Sequence, residues 1–241
     1  MLKTDEMSKI PLDIATKIAR RLTQLMAPHC YRVEVAGSVR RQKPEVSDIE
    51  IVAHPKKYWV KETLPQKDIF QPSETQVQHS ELVDKCLAKL PNVEWIKPGF
   101  KDTSMVINKY GKQVLTEVPE LGLGLDRELS RENNYGMDRK HWKGLTWYKD
   151  LPVKLDIFLA GSDNVGVIHF IRTGPRDFNV KIIAKLKSNG YNFEDGYLVH
   201  LPATQPEKEN YLGTDRRELC YDEDMIFKKA GMGYIEPSNR N

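Results

Sequence analysis

The stretch VEVAGSVRRQKPEVSDIEIV, Val33 to Val52, joins two apolar strand patterns through a Gly-Ser turn and a run of cations. Side chains alternate on a strand, so Ile49 and Ile51 turn to a core while Asp48 and Glu50 share the opposite face, about 7 Å apart. Two carboxylates aimed at one object repel, by roughly 4 kcal/mol for unit charges ~4 Å apart at an effective dielectric of about 20. A site of this kind needs a proton or a cation between them. Upstream, Gly37 lets the backbone approach a ligand, Ser38 offers a hydroxyl and an amide, and Arg40, Arg41 and Lys43 supply positive charge for phosphate oxygens. The combination describes a polyanion held against metal ions. That is the layout of phosphoryl transfer, in which the protein mainly positions the phosphate and metal neutralises its charge.

Oxygen ligands with no histidine or thiolate beside them favour Mg²⁺, with Mn²⁺ as a substitute, over zinc. A second ion calls for a third carboxylate. Asp156 in VKLDIFLA is the best candidate, because an acidic residue inside an apolar strand is costly without a partner. Asp150 and Asp163 lie in turns, where aspartate is ordinary. The 6 histidines are dispersed and include no i, i+4 pair that would hold a metal on a helix. A lone basic Gly-Ser turn is usually a solvated turn, and Asp-X-Glu on a strand is an exposed face about as often as a site. The Gly-Ser turn, the acidic strand and a distant strand aspartate together carry the reading.

At 241 residues the chain is long enough for one sizeable core or two smaller ones, and two lobes are expected. Charged residues at 29% beside 39% hydrophobic ones exclude a disordered chain, and no apolar run reaches the ~20 residues of a membrane helix. The opening MLKTDEMSKI is charged where a signal peptide is apolar, so an intracellular, unsecreted protein is expected. Cys30, Cys86 and Cys220 are far apart and odd in number, which fits free packing thiols in a reducing compartment. A net charge of +3 permits nucleic-acid binding without arguing for it.

Ile14, Ile18, Leu22 and Leu25 predict an amphipathic helix over Ser8 to Met26. Strands are expected at Tyr31 to Ala36 and Ser47 to Ala53, the latter stopped by Pro55, then a helix from about Ser73 to Leu90. Short strands at Val93 to Ile96 and Ser104 to Tyr110 precede a loop or insert from Pro119 to Gly144. Strands at Leu145 to Tyr148 and Val153 to Leu159 follow, joined by a turn at Lys149 to Pro152. After a boundary near Gly161 to Gly166 come a helix at Phe178 to Lys187, a hairpin in NGYNFEDGYLVHL and a short helix at Asp222 to Lys229.

Gly37-Ser38 followed by Asp48-X-Glu50 resembles the nucleotidyltransferase superfamily that includes DNA polymerase beta. RTGPRDFN, Arg172 to Asn179, and the terminal AGMGYIEPSNRN are similar to the Thr-Gly turn and the closing Gly-X-X-Tyr-Ile-X-Pro-X-X-Arg pattern of the family X DNA polymerases. The resemblance runs from about Ser8 through nearly the whole chain, apart from the insert. It implies an α+β fold: a nucleotidyltransferase palm over residues 1–162 with a mixed β-sheet, flanking helices and the insert near 119–144, then a small α/β thumb over 163–241. The expected protein is a palm and thumb alone.

The implied activity is that of a DNA-directed DNA polymerase, adding dNMP from dNTP to a primer 3′-hydroxyl with release of pyrophosphate, in DNA repair or gap filling. The alternative is a nucleotidyltransferase that tails RNA or modifies a protein or small molecule. The implied cofactor is a pair of Mg²⁺ ions. Implied partners are primer-template or gapped DNA and a dNTP, with no membrane partner and a monomeric chain. By the resemblance, Asp48 and Glu50 bind both ions, and Asp156 binds one near the primer hydroxyl and helps deprotonate it. Ser38 and Arg41 hold the triphosphate beside Gly37 and Ser47, and Arg40 supports the loop. Thr173 and Gly174 form the turn that meets the nucleotide, Arg176 and Phe178 line its pocket, and Asn179 reaches the minor-groove edge of its base.

Three departures stand out. Glu50 occupies the position of an aspartate, Ser47 that of a glycine, and Ile171 and Arg172 that of an aromatic pair where the sugar is sensed. Lys181 and Lys185 are candidate DNA-phosphate contacts, although such helical spacing is usually a solvated face. Trp142, Trp147 and Tyr148 beside Lys140 and Lys143 offer stacking surfaces, but aromatic side chains near a sheet edge are more often core.

Overall fold

The two apolar patterns that flank Gly37 pair with each other in the computed structural model, which describes residues 9–63, 74–95, 105–107, 113–115, 141–148, 151–201 and 216–240. The first half of the chain runs β1 (Ile10–Pro11), α1 (Leu12–Met26), β2 (Cys30–Val35), the single turn α2 (Gly37–Arg40), β3 (Glu45–Val46) and β4 (Asp48–Pro55). Then come β5 (Lys57–Thr63), β6 (Glu74–Ser80), α3 (Glu81–Lys85), β7 (Val93–Trp95), β8 (Met105–Ile107), β9 (Gln113–Leu115), β10 (His141–Tyr148) and β11 (Leu151–Leu159). Five of these strands form a mixed sheet in the order β2-β4-β11-β10-β7. Within it β4 and β11 run parallel, and every other neighbouring pair is antiparallel.

One face of this sheet is apolar apart from the buried Thr146 of β10, which pairs with Val153. Ile49, Ile51 and Ala53 from β4 and Val153, Leu155, Ile157 and Leu159 from β11 bury against Ala15, Ala19, Leu22 and Met26 of α1 and against Leu82, Leu87 and Leu90. Each fully buried Leu or Ile contributes roughly 1.5–3 kcal/mol, so this layer holds the strands in register. The register in turn decides which residues meet on the other face.

The second half is α4 (Val165–Thr173), α5 (Arg176–Ser188), β12 (Tyr191–Glu194), β13 (Tyr197–His200), β14 (Arg217–Glu218) and α6 (Asp224–Lys229). It has its own core, in which Val167, Phe170, Phe178, Ile182, Leu186, Leu198, Ile226 and Phe227 pack together. Ala36, Val52, Phe158, Ala160 and Val165 form a smaller cluster that joins the two halves. Gly166 makes that junction close. Its amide donates to the Cys220 carbonyl at 2.8 Å, and a Cβ there would stand 2.7 Å from backbone atoms of Cys220 and Asp222.

The expected α+β architecture is present, a five-stranded mixed sheet with flanking helices. Several elements differ from the sequence expectation. α1 begins at Leu12 with Pro11 as its N-cap residue, and its buried stripe is Ala15, Ala19, Leu22 and Met26, with Leu25 exposed. The expected Ile14 and Ile18 also pack against this core, half-buried beside the fully buried Ala15 and Ala19. The segment expected as one helix from Ser73 to Leu90 is a strand to Ser80, then α3 and a 3-10 turn. The alternation Thr75, Val77, His79 pairs with β5, and Ser80 caps α3 by accepting from the Val83 amide at 3.4 Å. α4 was not expected at all. The insert as drawn includes the start of β10; residues 119–140 lie outside the described residues, as do Ser8, Lys149 and Asp150.

Candidate active site

The parallel register sets Glu50 beside Asp156 and Asp48 beside Lys154. Paired residues of neighbouring strands share a face at a spacing of ~4.8 Å, so Asp48, Glu50 and Asp156 stand together on the face opposite the apolar layer. Gly37 is the fourth wall of this corner. Its φ of +62° is left-handed, and a Cβ there would stand 2.1 Å from Glu50 Oε2. Glycine is required on both counts.

Burial first, and then the charges of Asp48 and Asp156, push the Glu50 carboxyl up to about 7. Asp48 is raised as well, by burial and by Asp156, and it accepts from Ser47 Oγ at 3.4 Å. His141 Nε2 lies 2.5 Å from Asp156 Oδ1. Among the described residues, Arg41, Arg172 and Lys154 act on Glu50 or Asp48 and offset the charge, and Lys143 is the register partner of Asp156.

The Gly-Ser turn is tied to the Thr-Gly turn by both of its arginines. Arg40 Nη1 donates to Thr173 Oγ1 at 2.8 Å, and Arg41 Nη1 donates to the Thr173 carbonyl. Arg40 also pairs with Glu223, at 2.9 Å and 2.5 Å. The same carboxylate receives Arg240 at 3.0 Å and 2.9 Å and the Tyr234 hydroxyl at 2.6 Å. Burial alone would raise the Glu223 carboxyl, but the hydrogen bonds from Arg40 and Arg240 hold it well below the usual carboxylate range. Burial and Glu223 together push the Tyr234 hydroxyl up to about 12. Burial lowers Arg41, whose Nε, like Ser38 Oγ, is buried with no hydrogen-bond partner among the described residues.

The remaining candidates are placed as follows. Gly174 packs on Asn179, whose Oδ1 would meet a Cβ there at 2.1 Å. Asn179 Nδ2 donates to the Ile171 carbonyl at 2.8 Å, while its Oδ1 has no partner among the described residues. Phe178 is buried in the second core, and Arg176, Lys181 and Lys185 are exposed. Of the departures, Ile171 packs against the second core, while Arg172 lies 3.8 Å from the centre of the Phe158 ring, in reach of Glu50. Trp142 and Tyr148 pack on the first core. Sequence reasoning missed Glu223 and His141. The only trace of the Glu223 network was the terminal Tyr-Ile-X-Pro-X-X-Arg pattern, which supplies Tyr234 and Arg240.

The donor set at the acidic corner is all carboxylate oxygen, which suits a hard divalent cation, and the upward push on Glu50 is what an unneutralised cluster produces. As they stand, no three His, Cys, Asp or Glu side chains converge closely enough to hold an ion among the described residues. Glu50 leans on Gly37, and Asp156 is engaged by His141.

The five-stranded mixed sheet with flanking helices resembles the polymerase beta fold. Two solved structures make the comparison particular. The Leishmania infantum polymerase beta ternary P/T complex matches with a TM-score of 0.53 and 17% identity, over 97% of this chain and 77% of that one. Its ternary gap complex matches with the same TM-score and identity over 97% and 71%. The likeness is one of fold. No family model matches the chain, and no curated protein does. Among the described residues no helix is long and apolar enough to cross a membrane.

Proposed function

We propose that the chain is a nucleotidyltransferase of the DNA polymerase type, which joins a dNMP from a dNTP to a primer 3′-hydroxyl and releases pyrophosphate. The observation that carries the reading is the register that brings Asp156 of β11 beside Glu50 of β4, with Asp48 on the same face. Residues 1–162 act as the palm and 163–241 as the thumb, working where DNA is found inside the cell.

Asp48, Glu50 and Asp156 would hold Mg²⁺, or Mn²⁺ in its place. Bound there, the ions supply charge neutralisation for the triphosphate and make the attacking hydroxyl more acidic. Arg41 Nε and Ser38 Oγ are buried donors with no partner among the described residues, and they suit phosphate oxygens that approach over Gly37. Arg40 is held by Glu223 and Thr173 and so acts on the turn rather than on the ligand. Asp156 has one carboxylate oxygen engaged by His141 and the other left to accept the proton of the primer hydroxyl. Asn179 Oδ1 and the exposed Arg176 are the thumb groups left to meet the nucleotide.

Primer extension on gapped, recessed and single-stranded DNA tests the reading, with each dNTP and rNTP and with Mg²⁺ or Mn²⁺. Metal-dependent addition to a DNA end is expected, and Asp156→Ala should abolish it. Wild-type protein that labels RNA or protein but extends no DNA end would reject the polymerase reading.

A further inference from the structure

Among the described charged and aromatic groups around the carboxylates, one side chain is in hydrogen-bond contact with Asp156. His141 Nε2 lies 2.5 Å from Asp156 Oδ1. Its ring is stacked on Phe158, with ring centres 4.2 Å apart and 18° between planes. The sheet imposes this placement, because His141 pairs with Phe158 and Lys143 with Asp156 across β10 and β11, which makes His141 the diagonal neighbour of Asp156. The guanidinium of Arg172, at the end of α4, lies over the same Phe158 ring at 3.8 Å. His141 is thus held by its strand and by an aromatic surface, and its free nitrogen edge is turned onto the carboxylate.

We propose that His141 is the positioning residue of Asp156, fixing one carboxylate oxygen so that the other faces the cation and the reacting hydroxyl. The physical need is rotational. The terminal torsion of an aspartate is broad and roughly two-fold, so an unheld carboxylate samples many orientations. A partner on one oxygen selects one of them, as outer groups do for metal-ligating side chains generally. The kinetic part of this inference rests on the proposed nucleotidyl transfer, whereas the metal-binding part does not.

Two variants separate positioning from packing. His141→Phe keeps a ring to stack on Phe158 and removes the donor, while His141→Gln sets an amide N–H near the place of Nε2. The probe is Mn²⁺ alone, titrated into nucleotide-free protein and followed by electron paramagnetic resonance, with primer extension as the second measurement. His141→Phe should weaken Mn²⁺ binding by ~10- to 100-fold and lower kcat similarly, with KM for dNTP changed no more than about two-fold. His141→Gln should restore most of the Mn²⁺ affinity. The proposal is overturned if the Phe variant binds Mn²⁺ as tightly as wild type, if Gln does no better than Phe, or if wild type binds no Mn²⁺. Wild type that binds Mn²⁺ but extends no primer removes the polymerase reading and leaves the Mn²⁺ comparison to decide the role of His141.

Discussion

Glu50 rests on Gly37, so closely that a Cβ on the glycine would fall 2.1 Å from Glu50 Oε2. Gly37→Ala therefore carries two penalties. The left-handed φ of +62° costs roughly 1–2 kcal/mol for a residue with a Cβ, whatever the space. The methyl also drives the Glu50 carboxylate out of the corner, and misplacement by about 1 Å can cost ~100-fold in rate. Urea unfolding should show the stability loss and primer extension the rate loss. Glu50→Asp in the alanine background shortens the side chain and should recover part of the rate but none of the backbone strain. A Gly37→Ala protein as stable as wild type would contradict the contact.

The acidic corner predicts an unusual pH profile for metal-free protein. Glu50 is raised from an ordinary 4.5 to about 7, by burial and then by Asp48 and Asp156, so folding favours its protonated form. That stabilisation is complete below about pH 4.5 and is lost as pH rises through about 7, amounting to roughly 3 kcal/mol. Asp48, also raised, acts in the same direction. Glu223, held low, has the opposite sign, but its contribution is already complete above the ordinary carboxylate range, whereas His169, lowered by burial, adds stability as pH rises toward the ordinary histidine range and opposes the fall. In urea unfolding in EDTA, the stability of wild type relative to Glu50→Gln should fall from pH 4.5 to above 7, and Mg²⁺ should reverse that fall at neutral pH. A difference between wild type and Glu50→Gln that does not change with pH would show that Glu50 titrates normally.

What was legible in the sequence divides along physical lines. Asp48, Glu50 and Asp156 could be found because strand alternation fixes faces and an acid in an apolar strand asks for a partner. α4 could not, because six of its nine residues are buried and it has no clean amphipathic period for the eye to find. The β6 strand is not legible in the sequence because its partner β5 is fixed only by the pairing in the folded chain. Glu223 and His141 were invisible for another reason. Arg40 lies 183 positions from Glu223, and Asp156 lies 15 positions from His141 across a strand pairing that only the folded sheet fixes.

Arg240 is fully buried, and its charge is met by Glu223 and by the Ile235 carbonyl. Taking one partner from a buried ion network leaves uncompensated charge, so Arg240→Met should cost about 3–5 kcal/mol in urea unfolding. Glu223→Gln alone should be costly too, since it strands both Arg40 and Arg240. The double variant should fall short of the sum by about 0.5–3 kcal/mol, the coupling expected of side chains in contact. Additive losses would mean that Arg240 stabilises the fold through its stacking on Phe227 and Tyr234 rather than through Glu223.

Lys181 and Lys185 stand one turn apart on the exposed side of α5, and neither forms a hydrogen bond or ion pair that would occupy it among the described residues. If they meet DNA phosphates, each should release about one counterion on binding, so removing one lowers the salt slope by about 1. Fluorescence anisotropy of gapped DNA, titrated at a series of salt concentrations, measures that slope directly. Lys181→Ala and Lys185→Ala should each weaken binding at low salt, reduce the slope and act equally on unrelated sequences, because phosphate contacts carry no base information. Stability should stay within about 0.5 kcal/mol of wild type, as expected for exposed positions. An unchanged slope in the double variant would return both lysines to the role of a solvated helix face and move the DNA path toward the exposed Arg176.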